Sequence, residues 1–302
     1  MDGLAFDDLK LFARIAALGS LSAAARERDV PVSQVSRALS RIEERCRARL
    51  LHRSTHGLAL TAEGATFLDY CRRLTSTFEE LEGEFAASSG SPSGRVRIAA
   101  SSVIAEHLLV PGLAGLRDRY PALRIDLDVG DRMLDLVRDG IDIAIRTSVG
   151  LPELQIARQL GSLDRALYAA PAYVQQHGLP ARPDDLLGHR LITNSAAPVL
   201  NEWPFMTGGE KTTLTVDGHW RANDTAMAAR MVLQGLGIGR LAVLVGDPLV
   251  RAGRLVRVLE ELVDSQPVPI YAVTATARQR LPKIRACIDY WVEWFARSPN
   301  GA

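Results

Sequence analysis

Apolar positions set the first periodic signal in this chain. Phe12, Ile15 and Ala16, with Leu9 one turn earlier, recur at helical spacing, as expected of a helix that buries one stripe. Gly19 stands where a left-handed cap would close that helix, near Leu18. Ser20 or Ser22 then offers a side-chain oxygen to a short second helix through residues 23–28, and Pro31 separates it from a third helix over residues 32–47. The third helix buries Val35, Leu39, Ile42 and Cys46, at spacings of 4, 3 and 4. Two short β-prone stretches around Gly57 follow, and they read as a hairpin whose Leu51, Leu58 and Leu60 face the helices.

Phe67, Cys71, Leu74, Phe78, Leu81 and Phe85 continue at alternating spacings of 4 and 3 over residues 62–87. That is the seam of a paired coiled coil, or the buried stripe of one amphipathic helix packed on its own domain. SSGSPSG at 88–94 is a small-residue linker and a natural boundary. Beyond it the pattern changes to strand (96–100), helix (102–119), strand (123–129), helix (131–139) and strand (141–145), an alternation that predicts a parallel sheet. A second α/β set places strands near 166–170, 191–193, 213–216 and 268–274, with a helix over 224–234 capped from Asn223, Asp224 or Thr225. GLGIG at 235–239 lacks the spacing of a dinucleotide loop and follows a helix, so it reads as a tight helix-to-strand turn.

Charge changes the picture of the first segment. The whole chain of 302 residues has a formal net charge of +1, but between Lys10 and Arg73 twelve basic residues face six acidic ones. A segregated basic end is the footprint of a nucleic-acid-binding module, because phosphate contacts dominate its affinity. The exposed side of the third helix carries Ser33, Ser36, Arg37, Ser40 and Arg41, groups that donate hydrogen bonds without bulk. In helix-turn-helix geometry this helix enters the major groove N-terminus first, where Arg reaches guanine and Ser or Gln serves a base edge or phosphate. Ser33, Gln34, Ser36 and Arg37 are therefore the leading DNA contacts, with Ser40 and Arg41 behind them. Arg53 and His56 in the hairpin are candidates for the backbone or minor groove, and a solvated turn is the plainer role for His56.

Other chemistries find little support. The six histidines, His52, His56, His107, His177, His189 and His219, show no catalytic or metal-ligand spacing, and Cys46, Cys71 and Cys287 form no CxxC pair and read as small buried residues. The expectation is a protein without metal, cofactor or enzymatic activity. No apolar run approaches the roughly 18 to 20 residues of a membrane span, and the acidic opening MDGLAFDDLK is unlike a secretion signal. A cytoplasmic protein without membrane contact is expected.

Four blocks in order, GSLSAAAR at 19–26, VSRALSRIE at 35–43, RLLHRST at 49–55 and LTAEG at 60–64, resemble the DNA-binding domain of LysR-type transcriptional regulators. Pro31 and Val32 depart from the family's usual helix cap, and His56-Gly57 from its basic wing. DRMLDLVRDGIDIAIR at 131–146, APAY at 170–173 and GLGIG extend the likeness over most of 95–297. The resemblance implies an α/β protein with an N-terminal winged helix-turn-helix (1–61), a linker and dimerisation helix (62–87) and a two-lobed effector domain (95–302) like periplasmic binding proteins. Lobe I spans about 95–161 and 268–302, and lobe II about 162–267.

In open sheets ligands bind beyond the carboxyl ends of the strands, where Ser101, Ser102, Arg146 and Thr147 stand. An ordinary helix cap for the serines and an ion pair for Arg146 are the plainer roles. The resemblance adds Asn194 and Asn223 to this effector set, and a cationic Arg146 among hydroxyls suggests a small carboxylate. The implied partners are double-stranded DNA at an interrupted palindrome, a small-molecule effector and further copies of the chain as homodimer or homotetramer, with RNA polymerase a further candidate. The alternative reading is a two-lobed small-molecule-binding protein whose N-terminal domain contacts proteins instead of DNA.

Overall fold

The computed structural model describes residues 3–54, 57–87, 92–132, 134–136, 139–147, 155–264, 266–275 and 278–297. The chain divides into two compact units, Met1–Ser88 with Val137–Gly140, and Ser89–Leu136 with Ile141–Ala302.

The first unit comprises α1 (Phe6–Leu18), α2 (Leu21–Glu27), α3 (Val32–Cys46), the antiparallel hairpin β1 (Leu51–Ser54) and β2 (Gly57–Leu60), and α4 (Ala62–Ala87). Gly19 ends α1 in the left-handed conformation at φ 60°, which costs glycine least. Ser20 caps α2, its hydroxyl accepting from the Ala23 amide at 3.3 Å. Phe12, Ile15, Ala24, Val35, Leu39 and Ile42 close a core with Leu50 and Leu51 of the hairpin segment. The early part of α4 belongs to the same core. Leu68 and Cys71 are buried in it, and Phe67 meets Phe12 edge to face at 5.0 Å. Farther along, Phe78 rests on Phe6 with ring centroids 4.4 Å apart, while Leu74 and Leu81 remain 51% and 49% exposed. The described part of the apolar seam thus packs on its own domain through Phe67, Cys71 and Phe78 and leaves Leu74 and Leu81 half-exposed.

Two buried carboxylates fix α3. Asp8 of α1 accepts from the Ala5 amide at 3.1 Å and from the Arg41 guanidinium at 2.6 Å. Glu43 accepts from the Leu50 and Leu51 amides at 2.8 and 3.2 Å and from Arg49 at 2.9 Å. Thr61 caps α4, accepting from the Gly64 amide at 2.8 Å and donating to the Arg49 carbonyl at 2.7 Å. Gly64 lies so close to the hairpin segment that a Cβ there would collide with the Leu50 carbonyl.

The second unit opens with β3 (Gly94–Ala100), α5 (Ser102–Ile104), α6 (Leu113–Arg119), β4 (Leu123–Val129), β5 (Ile143–Thr147) and β6 (Gln155–Leu163). It continues with β7 (Arg165–Ala169), α7 (Pro171–His177), β8 (Leu191–Asn194), β9 (Glu202–Thr207), β10 (Glu210–Thr215), β11 (Trp220–Ala222) and α8 (Thr225–Leu233). β12 (Ile238–Ala242), α9 (Val243–Arg251), β13 (Val256–Val258), β14 (Val268–Ala275) and α10 (Pro282–Arg297) complete it. Among the described residues two five-stranded sheets result, ordered β4-β3-β5-β14-β6 and β11-β8-β12-β7-β13. Each organises one lobe of this unit. The chain crosses from the first sheet to the second at Asp164 and returns between β13 and β14.

Several expectations are corrected. The strands β3, β4 and β5 are parallel, but β14 pairs antiparallel with both β5 and β6, so the first sheet is mixed and the strand near 268–274 belongs to it. The strand expected near 213–216 lies in β10, paired only with β9 in a separate hairpin. The helix expected over 102–119 is broken by a π turn and a 3₁₀ turn. Pro111 lacks the N–H of a regular turn, and Gly112 admits Trp291, whose ring would be 2.7 Å from a Cβ at that position. The described part of 131–139 forms bends and turns instead of a helix, because Asp131 is drawn into hydrogen bonds with the other lobe. α10 closes the first lobe, burying Cys287, Trp291 and Phe295 against Val96, Ile98 and Ile143.

Two outcomes follow from the packing of α3 and α4. Alanine ordinarily stabilises a helix relative to glycine, but Gly64→Ala should cost about 1–3 kcal/mol through the clash with Leu50, read as a lower Tm. Burial pushes the Asp8 carboxyl up, yet the Arg41 and Ala5 hydrogen bonds and the charges of Arg41 and Arg45 outweigh it, leaving it below the usual aspartate value. A carboxylate so held contributes stability above its unfolded pKa and loses it as pH falls through the lower folded value. Arg41→Ala should therefore lower stability by about 1 kcal/mol at pH 7, given the exposure of Arg41, and the difference from wild type should vanish in thermal melts below about pH 3.

Candidate functional site

In the first unit α3 presents one polar face. Ser33, Gln34, Arg37, Ser40 and Arg41 are exposed and Ser36 is half-buried, while Val35, Leu39 and Ile42 point into the core. The sequence periodicity therefore places these side chains together on a surface free to meet a ligand. Their tasks differ. Arg37 lies along the helix with Nε donating to the Ser33 carbonyl at 3.3 Å, a local contact readily exchanged. Arg41 instead neutralises buried Asp8, a second and structural task for this candidate. Arg53 sits in β1, opposite Leu58. His56 lies outside the described residues. The Leu58 amide donates to the Gly19 carbonyl at 3.3 Å, tying the hairpin to the end of α1.

In the second unit the carboxyl ends of three parallel strands converge on the other lobe. Ser101, after β3, caps α5 by accepting from the Ile104 amide at 3.4 Å. Ser102 donates to a carboxylate oxygen of Asp224. Asp224 in turn caps α8 by accepting from the Met227 amide at 2.8 Å, so the cap expected from Asn223, Asp224 or Thr225 is Asp224, and Asn223 is exposed.

Beyond β4, Asp131 accepts from Asn194 Nδ2 at 2.8 Å, the Thr225 amide at 2.7 Å and the Thr225 hydroxyl at 3.3 Å. Burial raises its carboxyl above the usual range, and these donors offset that only in part. Asn194 is buried and fully engaged, since its Oδ1 accepts from the Ala196 and Ala197 amides at 2.8 and 2.9 Å. It shapes the loop after β8. At the end of β5, Thr147 Oγ1 accepts from Arg165 at 3.5 Å. Alternation along β5 sends Arg146 to the opposite face from Thr147, the face of Ala144 and of Val273 across the pair, where burial lowers its pKa.

Of the effector candidates, the structure thus brings Ser102, Thr147 and Asn194 to the lobe junction with Ser101 beside them, and strand alternation sets Arg146 on the opposite face of β5 from Thr147. Asp131, Asp224, Thr225 and Arg165 stand there without having been singled out in sequence as effector candidates. An Asp-Thr pair before a helix was a legible cap signal, whereas nothing around Asp131 or Arg165 marked a contact across the lobes. Among the described residues no helix is long and apolar enough to cross a membrane.

Comparison with known proteins agrees with both halves. Residues 6–65 match the model of the bacterial regulatory helix-turn-helix protein, lysR family, and residues 89–296 match that of the LysR substrate binding domain. The HTH-type transcriptional activator AaeR of Escherichia coli is 31% identical over 291 residues, covering 94% of this chain and 93% of that protein. The activator TtdR of the same species is 30% identical over 288 residues, covering 95% and 92%. Among solved structures, full-length AphB, a Vibrio cholerae virulence activator, superposes with a TM-score of 0.67 at 25% identity, covering 96% of this chain and 99% of that one. CrgA of Neisseria meningitidis, a LysR-type transcriptional regulator, does so with 0.62 at 27%, covering 96% and 99%. With both family models and full-length relatives matched, the chain belongs to the LysR family of bacterial transcriptional regulators, in which a helix-turn-helix DNA-binding domain is joined to an effector-binding domain.

Proposed function

We propose that α3 reads an interrupted palindrome in double-stranded DNA, and that a small molecule between the two lobes modulates transcription from it. The observation that carries the reading is the exposed Ser33, Gln34, Arg37 and Ser40 face of α3, braced from behind by Asp8 and Glu43. A helix held in this way delivers its side chains to a groove without first being ordered. Residues 1–61 act as the DNA-binding domain, 62–87 as the linker and dimerisation helix, and 95–302 as the effector domain, with lobe I about 95–161 and 268–302 and lobe II about 162–267. Arg53 and His56 contact the DNA backbone or minor groove. Ser101, Ser102 and Thr147 line the effector side of the junction.

The half-exposed Leu74 and Leu81 of α4 supply the contact between copies, as a homodimer that pairs into a homotetramer. Two-fold symmetry matches two recognition helices to two half-sites one helical turn, or a multiple of it, apart. AaeR and TtdR are named activators, which supports activation here and RNA polymerase as a further partner. The protein acts in the cytoplasm and performs no catalysis.

Lowered lobe separation or rotation transmits the effector signal only if the effector binds one arrangement more tightly than the other. Arg37→Ala should weaken binding to the protein's own promoter fragment at least about tenfold at fixed salt, with far-UV circular dichroism and molecular mass unchanged. Fluorescence anisotropy titration would read the loss, and retained sequence-specific affinity would refute the role. Leu74→Asp with Leu81→Asp should dissociate the helix pair while sparing Phe78, which rests on Phe6 of its own domain. Light scattering showing an unchanged mass would remove α4 from the interface.

A further inference from the structure

The face of the second sheet that carries Leu167 and Ile238 also carries Arg165 and Arg240, both half-buried, with Thr193 and the exposed Arg221 farther along it. β7 and β12 run antiparallel with Ala242 opposite Arg165 and Arg240 opposite Leu167. Directly opposed residues and those two apart share a face, so Arg165, Leu167, Arg240, Ala242 and Ile238 point the same way. Leu167 and Ile238 are buried there in a core with Trp203 and Phe205. Arg165 and Arg240 are diagonal neighbours on adjacent strands, and each feels the cost of that setting. Burial and repulsion from Arg240 bring Arg165 down to about 10, and burial lowers Arg240 as well.

Neither guanidinium has a carboxylate partner among the described residues. Arg165 donates to the Thr147 hydroxyl at 3.5 Å and Arg240 to the Glu202 carbonyl at 3.4 Å, while Arg240 Nε is buried without any hydrogen-bond partner. The acids whose charge reaches them are already engaged. Asp131 is occupied by Asn194 and Thr225, and Asp264 by Lys211 at 2.7 Å. Two like charges half-withdrawn from water without a neighbouring counter-charge are unfavourable. A planar anion with two oxygens supplies what is missing, because guanidinium forks match a carboxylate in bidentate geometry.

We propose that Arg165 and Arg240 form the anion subsite of the lobe junction and that the effector is a small organic acid whose carboxylate they hold, beside Thr147. This rests on the reading that the junction binds the effector, and it moves the charge recognition from Arg146 to the second lobe. The strand-diagonal pair sets the position of the carboxylate. A planar carboxylate matches the guanidinium fork, which favours an organic acid over a hydrated inorganic anion.

Thermal unfolding of the full-length protein tests this with sodium acetate and sodium benzoate as probes, sodium sulfate as the inorganic oxyanion, and sodium chloride at matched ionic strength as reference. Saturating carboxylate should raise the wild-type Tm by about 2–4 °C over chloride. Arg165→Met and Arg240→Met keep the apolar stems and remove the half-buried charges, so each should melt no lower than wild type without ligand and lose the carboxylate shift. Either variant suffices if the other fails to fold. An equal shift in the folded variant overturns the subsite. In that case a shift abolished by Thr147→Val leaves the junction as the binding place, whereas a shift indifferent to all three substitutions removes the junction reading too. No shift over chloride in the wild type overturns the carboxylate assignment and leaves the junction open to an uncharged effector. A sulfate shift larger than benzoate's overturns the organic acid.

Discussion

A charge taken out of water must be met by donors or by an opposite charge, and that constraint organises both units of this protein. Asp8 and Glu43 are buried acids; Asp8 accepts from one backbone amide and Arg41, with Arg45 at 4.0 Å, and Glu43 from two backbone amides and Arg49. The geometry of those bonds fixes where α3 begins and ends relative to α1 and the hairpin. Precision on the outer face of α3 is therefore set on its inner face. An apolar core of Val35, Leu39 and Ile42 would hold the helix in place, but it tolerates sliding and rotation more readily than a carboxylate that accepts from named amides. Arg41 shows the cost of this arrangement, since a cation on the prospective DNA face is partly committed to neutralising Asp8.

The same constraint joins the two lobes of the second unit. Three strands of the first sheet end at the junction, and each sends a polar contact across. Ser102 meets Asp224, Asp131 meets Asn194 and Thr225, and Thr147 meets Arg165. Asp131 is the most demanding of these, because burial disfavours its charge and its donors all lie in the other lobe. Separating the lobes would return Asp131 to water, which relieves its burial as it breaks its hydrogen bonds. The two effects oppose one another, so the junction is a place where a small change in ligand contact decides which arrangement is favoured.

Much of this architecture was legible in the sequence because local rules and tertiary packing agreed. Gly19, Ser20 and Pro31 punctuate the first three helices where their backbone preferences require, and the 3-4 spacing of α4 runs unbroken from Ala62 to Ala87. Legibility failed where long-range contact overrode local preference. Residues near Asp131 read as helical by composition but are turned by bonds to partners 63 and 94 residues away. Strand pairing was hidden for a similar reason, since only the register shows that β14 runs antiparallel in the first sheet and that β10 forms a separate hairpin. A topological rule pointed to the strand-end hydroxyls of Ser102 and Thr147, which meet the other lobe. Which face Arg146 takes was not legible, because strand alternation, which turns it away from Thr147, depends on where β5 begins and ends.

The effector domain also departs from the consistency that makes the rest readable. A strand pattern that alternates Arg165, Leu167, Ala169 on one face and Ala166, Tyr168 on the other would bury only apolar groups if stability alone were selected, and departures of this kind are expected at functional positions. Burial disfavours the charge of both Arg165 and Arg240, and the neighbouring Arg240 adds repulsion at Arg165. Relief of that penalty is available to whatever neutralises the pair, and only in the arrangement where Thr147 of one lobe and Arg165 of the other are within reach. Neutralisation thereby stabilises one arrangement of the lobes selectively, which is the condition for a ligand to shift a population. Tight binding without such a difference would shift nothing.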